Sequence, residues 1–399
     1  MKELIKGKVD GLCEPMKQFG KKLDAFKVNS RSIGDFNRLI LEEMQTLGFD
    51  SCASDRFDNT IGVIKGYSQG QDIALIFHVD YPPAGAESKG MCNYKPGIMS
   101  ALYTAAALKR SLLPLVGDIL VCGVPRSVCC EFGVKYLFDY YLKKRLKKLK
   151  GIILCEPTDM NIYLGHKGRM EYEIVVKVRL SDGFLASRGI NMLGTMFPLI
   201  HELETVSQSL PSNYSLGNSS LKIKDVHFCG TQPRDNRNEF RVIVDRSYVP
   251  EEQEENILER AKMIAKSVYK SEPSVMVQTA VAMQKIKTFA GANIVSEKEI
   301  KPWTIEGSHP FILNSHQALK DNGFKAALGY WQKTITAGSY TFGELGIPTL
   351  GFGPEAETLP EEVSQSASFE VVKKAVFGQA MMIQRNIGVP TFGWTSDEI

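Results

Sequence analysis

The chain has 399 residues, 43% of them hydrophobic and 23% charged. These proportions are ordinary for a globular protein and exclude a disordered, collagenous or coiled-coil chain, and the length fits two or three domains or one large domain with an insertion. The 48 lysine and arginine residues nearly balance the 45 aspartate and glutamate residues. The formal charge of +3 is too small to attract nucleic acid or an anionic membrane strongly.

In the first part of the chain, short apolar runs alternate with helical patterns. The spacing predicts helices at residues 39–47, 97–108 and about 132–148, and buried strands at 72–77, 118–124 and 151–155. Strands separated by helices indicate a parallel sheet that is covered on both faces.

The pattern changes at residue 169. Residues 169–180 alternate like a half-buried strand, whose apolar face carries Met170, Tyr172, Ile174, Val176 and Val178. This strand is followed by a helix at about 191–206, strands at 220–229 and 239–245, a helix at 251–269 and a strand at 274–281. The resulting order, βαββαβ, is that of a ferredoxin-like domain.

The α/β pattern returns after residue 288, with a buried strand in the run 346–354 and a closing helix at 369–385. We therefore predict a discontinuous three-layer α/β/α domain into which a ferredoxin-like domain is inserted. The first comprises residues 1–168 and 287–399, and the second comprises residues 169–286.

The sequence does not indicate a membrane or secreted protein. Its apolar runs fall far short of the roughly 18 residues of a membrane-spanning helix, and the first 20 residues lack the apolar core of a secretory signal. Eight cysteines without a Cys-x-x-Cys pair are too few for a disulfide framework, which favours free thiols and a cytoplasmic location.

Candidate site residues follow the predicted strands, because ligands of open α/β sheets bind outside the carboxyl ends of the strands. His78 and Asp80 close the strand at 72–77, and Glu131 and Glu156 follow the next two strands. The pattern suits a metal ion, since imidazole ligates and an aspartate can orient it. Yet His-x-Asp is common by chance, and His78 is equally well interpreted as a structural histidine bonded to Asp80 or Glu156.

Other residues near these strand ends are expected to line a pocket: Asn93, Ser127, Cys129, Cys130, Ala337, Gly338 and Gly353. A thiolate there could bind a soft metal or act as a nucleophile. Free cysteines are among the most buried residue types, however, so packing is favoured for Cys92, Cys129, Cys130 and Cys155. The histidines at 166, 201, 227, 309 and 316 are interpreted as surface or packing residues.

Several segments together resemble one family of hydrolases. They read IFHVD at 76–80, CEPTD at 155–159, GHKGRME at 165–171, VIVDR at 242–246 and GIPTLGFGP at 346–354. The chain resembles the di-zinc acetylornithine deacetylases, succinyl-diaminopimelate desuccinylases, aminoacylases, dipeptidases and carboxypeptidases. Around Lys301-Pro302-Trp303 its pattern most resembles that of the hydrolases associated with selenium metabolism.

The resemblance implies a zinc-binding α/β domain with a ferredoxin-like lid that forms a homodimer. It also implies two zinc ions that activate a bridging water and polarise the scissile carbonyl, with a glutamate as general base. Among the implied ligands, His78 and Glu156 are retained, and Asp80 matches the aspartate that orients the histidine.

The other implied positions depart from the family. Asn93 matches the bridging aspartate, and Ser127 and Val128 match the adjacent base and ligand glutamates, although a small shift would bring in Glu131. No histidine follows His316, so the C-terminal ligand is missing. The lid histidine falls on Asp182, in a pocket loop that ends at Asn191.

Two functions remain open. In the first, the chain is a non-catalytic homologue that binds a small amide-bearing molecule or a protein partner. In the second, it hydrolyses amide bonds in a small molecule with a rebuilt or single-metal site, in which Asp80 and Glu131 are the candidate catalytic residues. The ligand losses favour the first, with no cofactor or one weakly bound zinc ion, a homodimer, and no nucleic-acid or membrane partner.

Overall fold

The computed structural model of the chain describes residues 1–26, 33–80, 95–126, 130–178, 192–229, 238–272, 274–357 and 368–389. Its α-helices are α1 (Lys2–Asp10), α2 (Cys13–Ala25), α3 (Ile33–Thr46), α4 (Lys95–Ser111), α5 (Phe132–Tyr136), α6 (Met192–Ser207), α7 (Glu254–Val268), α8 (Pro310–Asp321) and α9 (Phe369–Ile387). Within these ranges, no helix has the length and apolar character needed to cross a membrane.

The strands are short in the first half of the chain and longest in its middle. They are β1 (Ser51–Ser54), β2 (Thr60–Ile64), β3 (Asp72–Asp80), β4 (Ile119–Arg126), β5 (Leu149–Leu154), β6 (Ile162–His166), β7 (Gly168–Val178), β8 (Ser212–Asn213), β9 (Gly217–Asn218), β10 (Ser220–Cys229), β11 (Asn238–Tyr248), β12 (Val275–Val281), β13 (Met283–Lys287), β14 (Asn293–Glu297), β15 (Glu299–Ile300), β16 (Trp303–Thr304), β17 (Leu328–Trp331) and β18 (Thr349–Gly351).

A first sheet has the strand order β1-β2-β4-β3-β5-β18-β6-β16, with β17 also paired to β6. Its centre is parallel from β4 through β3 and β5 to β18, whereas β1, β2 and β16 pair in antiparallel fashion. The sheet is therefore mixed, not parallel throughout as the pattern predicted. For β1 and β2 the reason is local: only five residues join them, and a parallel connection needs about a dozen.

The predicted helix at 132–148 is replaced by three shorter pieces. After α5 comes a π-helical turn, Leu137–Tyr141, and then a 3-10 turn, Lys143–Lys148. Five of the last six residues are basic, and like charges one turn apart destabilise an α-helix. Arg145 instead pairs with Asp72 and Asp118 at 3.1 and 2.7 Å, which draws the segment onto the first sheet.

A second, antiparallel sheet has the strand order β10-β11-β7-β12, with β15 also paired to β7. The predicted alternating strand is β7, and its expected inward face is buried throughout, at Met170, Tyr172, Ile174, Val176 and Val178. Residues of α6 and α7 pack on that face in one apolar cluster. Because β7 and β3 belong to different sheets, the change of pattern at residue 169 coincides with a change of sheet.

The β13–β14 hairpin contacts both parts of the molecule. It follows β12 and precedes β15, so its base is continuous with the second sheet. At its tip, the Asp58 carboxylate accepts hydrogen bonds from the backbone N–H groups of Phe289 and Ala290, at 2.7 and 3.0 Å. Asp58 lies in the turn between β1 and β2, so the tip is fixed to the first sheet. The hairpin joins one apolar cluster with that sheet, comprising Phe57, Cys130, Phe132, Ile286 and Ile294.

Candidate functional site

Two predicted site residues meet at the carboxyl ends of β3 and β5. His78 lies near the end of β3, and Glu156 follows β5 by two residues. His78 Nδ1 lies 2.6 Å from Glu156 Oε1, and the backbone N–H of His78 donates a 3.2 Å hydrogen bond to the same oxygen. Both side chains are buried, with 0% and 1% exposure. One carboxylate therefore holds the histidine by its ring and by its backbone.

Glu131 lies on the other side of the same imidazole ring. It directly precedes α5, in the segment that follows β4. Glu131 Oε1 lies 3.7 Å from His78 Nε2, and the glutamate side chain is only 6% exposed. Within the described part of the chain, His78 Nε2 makes no hydrogen bond. The structure thus brings three predicted site residues together, with an imidazole between two carboxylates.

Two glycines allow the backbone around Glu156 to pack closely. A Cβ on Gly97 of α4 would lie 2.0 Å from the carbonyl oxygen of Cys155, and a Cβ on Gly353 would lie 2.3 Å from that of Glu156. The Gly353 N–H also donates a 3.0 Å hydrogen bond to Thr158 Oγ1. Any side chain at either glycine would displace Glu156, so Gly353 positions the site through its backbone.

The other predicted residues fall into two groups. The following lie outside the described residues: Cys92, Asn93, Ser127, Val128, Cys129, Asp182, Asn191 and the side chain of Asp80. Ala337 and Gly338 are packed in the interior: Ala337 is fully buried, and a Cβ on Gly338 would lie 2.1 Å from the Trp303 indole.

The described cysteines at the strand ends are buried thiols. Cys130 and Cys155 are 2% and 1% exposed. Burial raises the pKa of both thiols, which disfavours the thiolate that nucleophilic attack or metal binding requires. Their environment therefore agrees with the packing interpretation.

The histidines elsewhere in the chain serve local structure or face solvent. His166 accepts a 3.0 Å hydrogen bond from the Thr336 N–H. His309 caps α8 by accepting one of 3.2 Å from the Phe311 N–H, and His316 contacts a backbone carbonyl at 2.9 Å. His201 and His227 are exposed.

A cavity of about 540 Å³ adjoins Glu131, and we call it the hairpin cavity. Its walls are the start of α5, the β13–β14 hairpin with β15, and a π-helical turn at Ser339–Glu344. Of the cavity residues on the hairpin side, only Lys301 belongs to a motif identified in the sequence, namely the segment that resembles the selenium-associated hydrolases. The remaining residues of that wall carry no pattern that marks a binding site.

The described residues of the site that could donate to a cation are His78, Glu131 and Glu156. Within the described ranges, no group of three or more His, Cys, Asp or Glu residues is arranged to hold a metal ion. The two retained ligand positions, His78 and Glu156, bond to each other, and Glu131 supplies one carboxylate where the resemblance implies two. Two dications need a shared anionic bridge and further ligands on each ion.

Burial, together with a smaller effect of the neighbouring Glu254, raises the pKa of Glu299, which lines the hairpin cavity, from 4.5 to about 7. The folded state therefore binds the proton more tightly than the unfolded state, so the free energy of unfolding should fall as the pH rises from 4.5 to 7. The glutamine variant Glu299→Gln does not lose this proton. Its free energy of unfolding should therefore rise relative to that of the parent by about 1–2 kcal/mol when the pH is raised from 5 to 8, after allowance for solvent screening. Urea unfolding at both pH values measures this gain, and a constant difference between variant and parent would contradict it.

Comparison with known proteins gives relatives in sequence but no matching family model. The chain is 25% identical over 342 residues to the uncharacterised protein YgeY of Escherichia coli, which covers 80% of this chain and 81% of YgeY. It is 28% identical over 156 residues to the uncharacterised metallohydrolase MJ1497 of Methanocaldococcus jannaschii, which covers 37% of this chain and 44% of MJ1497.

Solved structures with the same fold cover nearly the whole chain. The di-peptidase Dug1p of Saccharomyces cerevisiae aligns with a TM-score of 0.69 and 12% identity, over 98% of this chain and 99% of Dug1p. The Bacillus subtilis protein YXEP, a dinuclear metal-binding peptidase of the M20 family, aligns with a TM-score of 0.65 and 13% identity, over 94% of this chain and 98% of YXEP. The predicted α/β fold class is thereby confirmed.

Proposed function

We propose that this chain, a relative in sequence and in fold of the dinuclear metallopeptidases and deacylases, binds a small molecule without hydrolysing it. The observation that carries the proposal is the 2.6 Å hydrogen bond between His78 Nδ1 and Glu156 Oε1. A metal site directs such donor atoms at its cations, whereas here the two side chains are directed at each other.

The residues at the other implied ligand positions support the loss of two-metal chemistry. Asn93 offers a neutral amide in place of a bridging carboxylate, and Val128 offers no donor atom. Ser127 replaces the general base, which by itself would lower the rate by about 10²–10⁴-fold. Too little negative charge remains to hold two dications a few ångström apart.

The retained scaffold supports a binding role. Gly97 and Gly353 still fix the turn that carries Glu156, and the hairpin cavity adjoins Glu131. The amide-bearing substrates of the related deacylases and peptidases make a small amide the first class of ligand to test, with a protein partner as the second. A homodimer through the second sheet belongs to the same proposal.

Hydrolysis at a rebuilt site is the second candidate. It is favoured by one observation, the placement of His78 between Glu131 and Glu156. An imidazole between two carboxylates can accept and release a proton, and a single metal ion would use His78 and Glu156, the two retained ligand positions.

Metal content tests the proposal directly. After incubation with excess zinc or manganese and gel filtration, mass spectrometry should find at most one weakly held ion per chain. The matched control is His78→Gln, which should abolish whatever binding the parent shows. About two ions per chain that survive gel filtration, and that are lost in His78→Gln, would overturn the proposal.

A further inference from the structure

The hairpin cavity has the size of a ligand site. Its volume of about 540 Å³ lies within the range of roughly 300–1,000 Å³ in which small-molecule pockets fall. We call the five most buried lining residues its floor: the side chain of Glu131 is 6% exposed, and exposure is at most 6% at Cys130, Phe132, Ile300 and Ser339. The floor is thus buried, while the hairpin forms an outer wall.

The cavity is negatively charged. Four glutamates and two lysines line it, a formal charge of −2, although the whole chain carries +3. Lys301 and Glu344 form an ion pair at 2.7 Å and so neutralise each other. By formal charge the other charged lining residues are Glu131, Glu297, Glu299 and Lys135, and Glu299, with its raised pKa, carries only part of its negative charge at neutral pH. Negative charge that lines a concave surface attracts cations more strongly than the same charge spread over an open surface.

Glu131 comes from one side of the cavity, and Glu297 and Glu299 come from the wall that the hairpin and β15 form. Glu131 lies on the floor, Glu297 ends β14, and Glu299 begins β15. Behind Glu131 lies the buried His78 Nε2, 3.7 Å from Oε1. A ligand with one cationic group could contact the floor, and a second group on the same ligand could contact the hairpin side.

Apolar side chains line the same cavity as these carboxylates. Phe132, Ile300, Val295, Met283 and Tyr340 all line the cavity. This surface favours a short aliphatic chain between cationic groups, and it disfavours a bare metal ion, which prefers oxygen or nitrogen donors on every side.

We propose that the hairpin cavity binds a small organic cation, with one or two amine or guanidine groups on a short aliphatic chain. This proposal rests on the small-molecule function proposed above and specifies its ligand class. Glu131, Glu297 and Glu299 contact the cationic groups through charge-assisted hydrogen bonds, and the apolar side chains contact the carbon chain.

Isothermal titration calorimetry tests the proposal with 1,4-diaminobutane and agmatine as probes. The matched controls are 1,4-butanediol, which has the same chain without charge, and glutarate, which has the opposite charge. We expect the cations to bind at least tenfold more tightly than either control, with an affinity that falls as salt is added. A diamine that binds no better than the diol would overturn the proposal.

Substitutions locate the site. Glu297→Gln should weaken diamine binding about tenfold or more, and Lys135→Gln should strengthen it, because each changes one charge of the lining. Glu255→Gln, on an exposed position of α7, should leave it unchanged. Circular dichroism checks that each variant is folded, and an unchanged affinity in folded Glu297→Gln would also overturn the proposal.

The two proposals fail in different ways. Two tightly held metal ions per chain would refute the non-hydrolytic function, whereas binding of an organic cation would still be decided by the calorimetry. Binding of a neutral N-acyl amide without any binding of diamine or agmatine would refute the ligand class alone.

Discussion

Replacing Glu156 by alanine is expected to lower the free energy of unfolding by about 3–5 kcal/mol. The carboxylate is 1% exposed and accepts hydrogen bonds from both the ring and the backbone of His78. Alanine removes this acceptor, so two buried donors of His78 lose their partner, and it leaves unfilled space as well. Urea unfolding followed by the fluorescence of the three tryptophans measures the loss.

Matched variants separate the hydrogen bonds from simple loss of volume. Glu156→Gln keeps an acceptor oxygen and nearly the same size, so its loss should be about 1–2 kcal/mol. Glu297→Ala, at an exposed glutamate, should change stability by less than about 0.5 kcal/mol. In a double-mutant cycle with His78→Ala, the coupling should be at least about 1.5 kcal/mol. Additive effects would show that the pair does not interact as described.

The protein supplied with zinc, cobalt or manganese is expected not to hydrolyse N-acyl amino acids or dipeptides above the background rate. Asn93 cannot bridge two cations as a carboxylate does, Val128 cannot ligate, and no histidine follows His316. Without two ions there is no activated bridging water, and without a general base any residual rate falls by a further factor of about 10²–10⁴. A colorimetric assay of released amine, with an active two-zinc dipeptidase in parallel, measures turnover.

The variants of this experiment are chosen so that activity would be recognised if present. Asn93→Asp alone should not create turnover, because the other ligands would still be missing. Turnover that requires added metal and disappears in His78→Ala would contradict the prediction, most strongly if about two ions per chain accompany it.

Much of the fold follows from hydrophobic periodicity. The predicted strands at 72–77, 118–124 and 151–155 correspond to β3, β4 and β5, and the predicted strand at 169–180 begins as β7. These segments are apolar on both faces or strictly alternating, which are the patterns that local sequence specifies best. The resemblance to the di-zinc family came from longer motifs; the solved structures share the fold, and a protein named as a metallohydrolase is among the sequence relatives.

The grouping of three site residues was predictable for a physical reason. Since β4, β3 and β5 are parallel neighbours, their carboxyl ends lie along one edge, and side chains that follow them meet there. His78, Glu131 and Glu156 do meet, as their positions after the three strands suggested. The sequence left two hydrogen-bond partners open for His78, Asp80 and Glu156, because strand order alone does not fix a side-chain rotamer.

Elements held by distant contacts could not be predicted. The hairpin strands β13 and β14 have five residues each and little apolar alternation, and the tip is placed by Asp58, more than 200 residues earlier. Arg145 likewise ends a helical pattern through contacts with Asp72 and Asp118, which lie far from it in sequence. Local propensity is a weak prior wherever such tertiary contacts decide the conformation.

The β13–β14 hairpin is attached to both sheets and so links them mechanically. Its tip is fixed by Asp58 to the first sheet, and its base continues into strands of the second. Any rotation of one sheet against the other must therefore deform a wall of the hairpin cavity. A molecule that fills the cavity then favours one relative orientation of the sheets, and by thermodynamic reciprocity whatever fixes that orientation tightens binding in the cavity by the same factor.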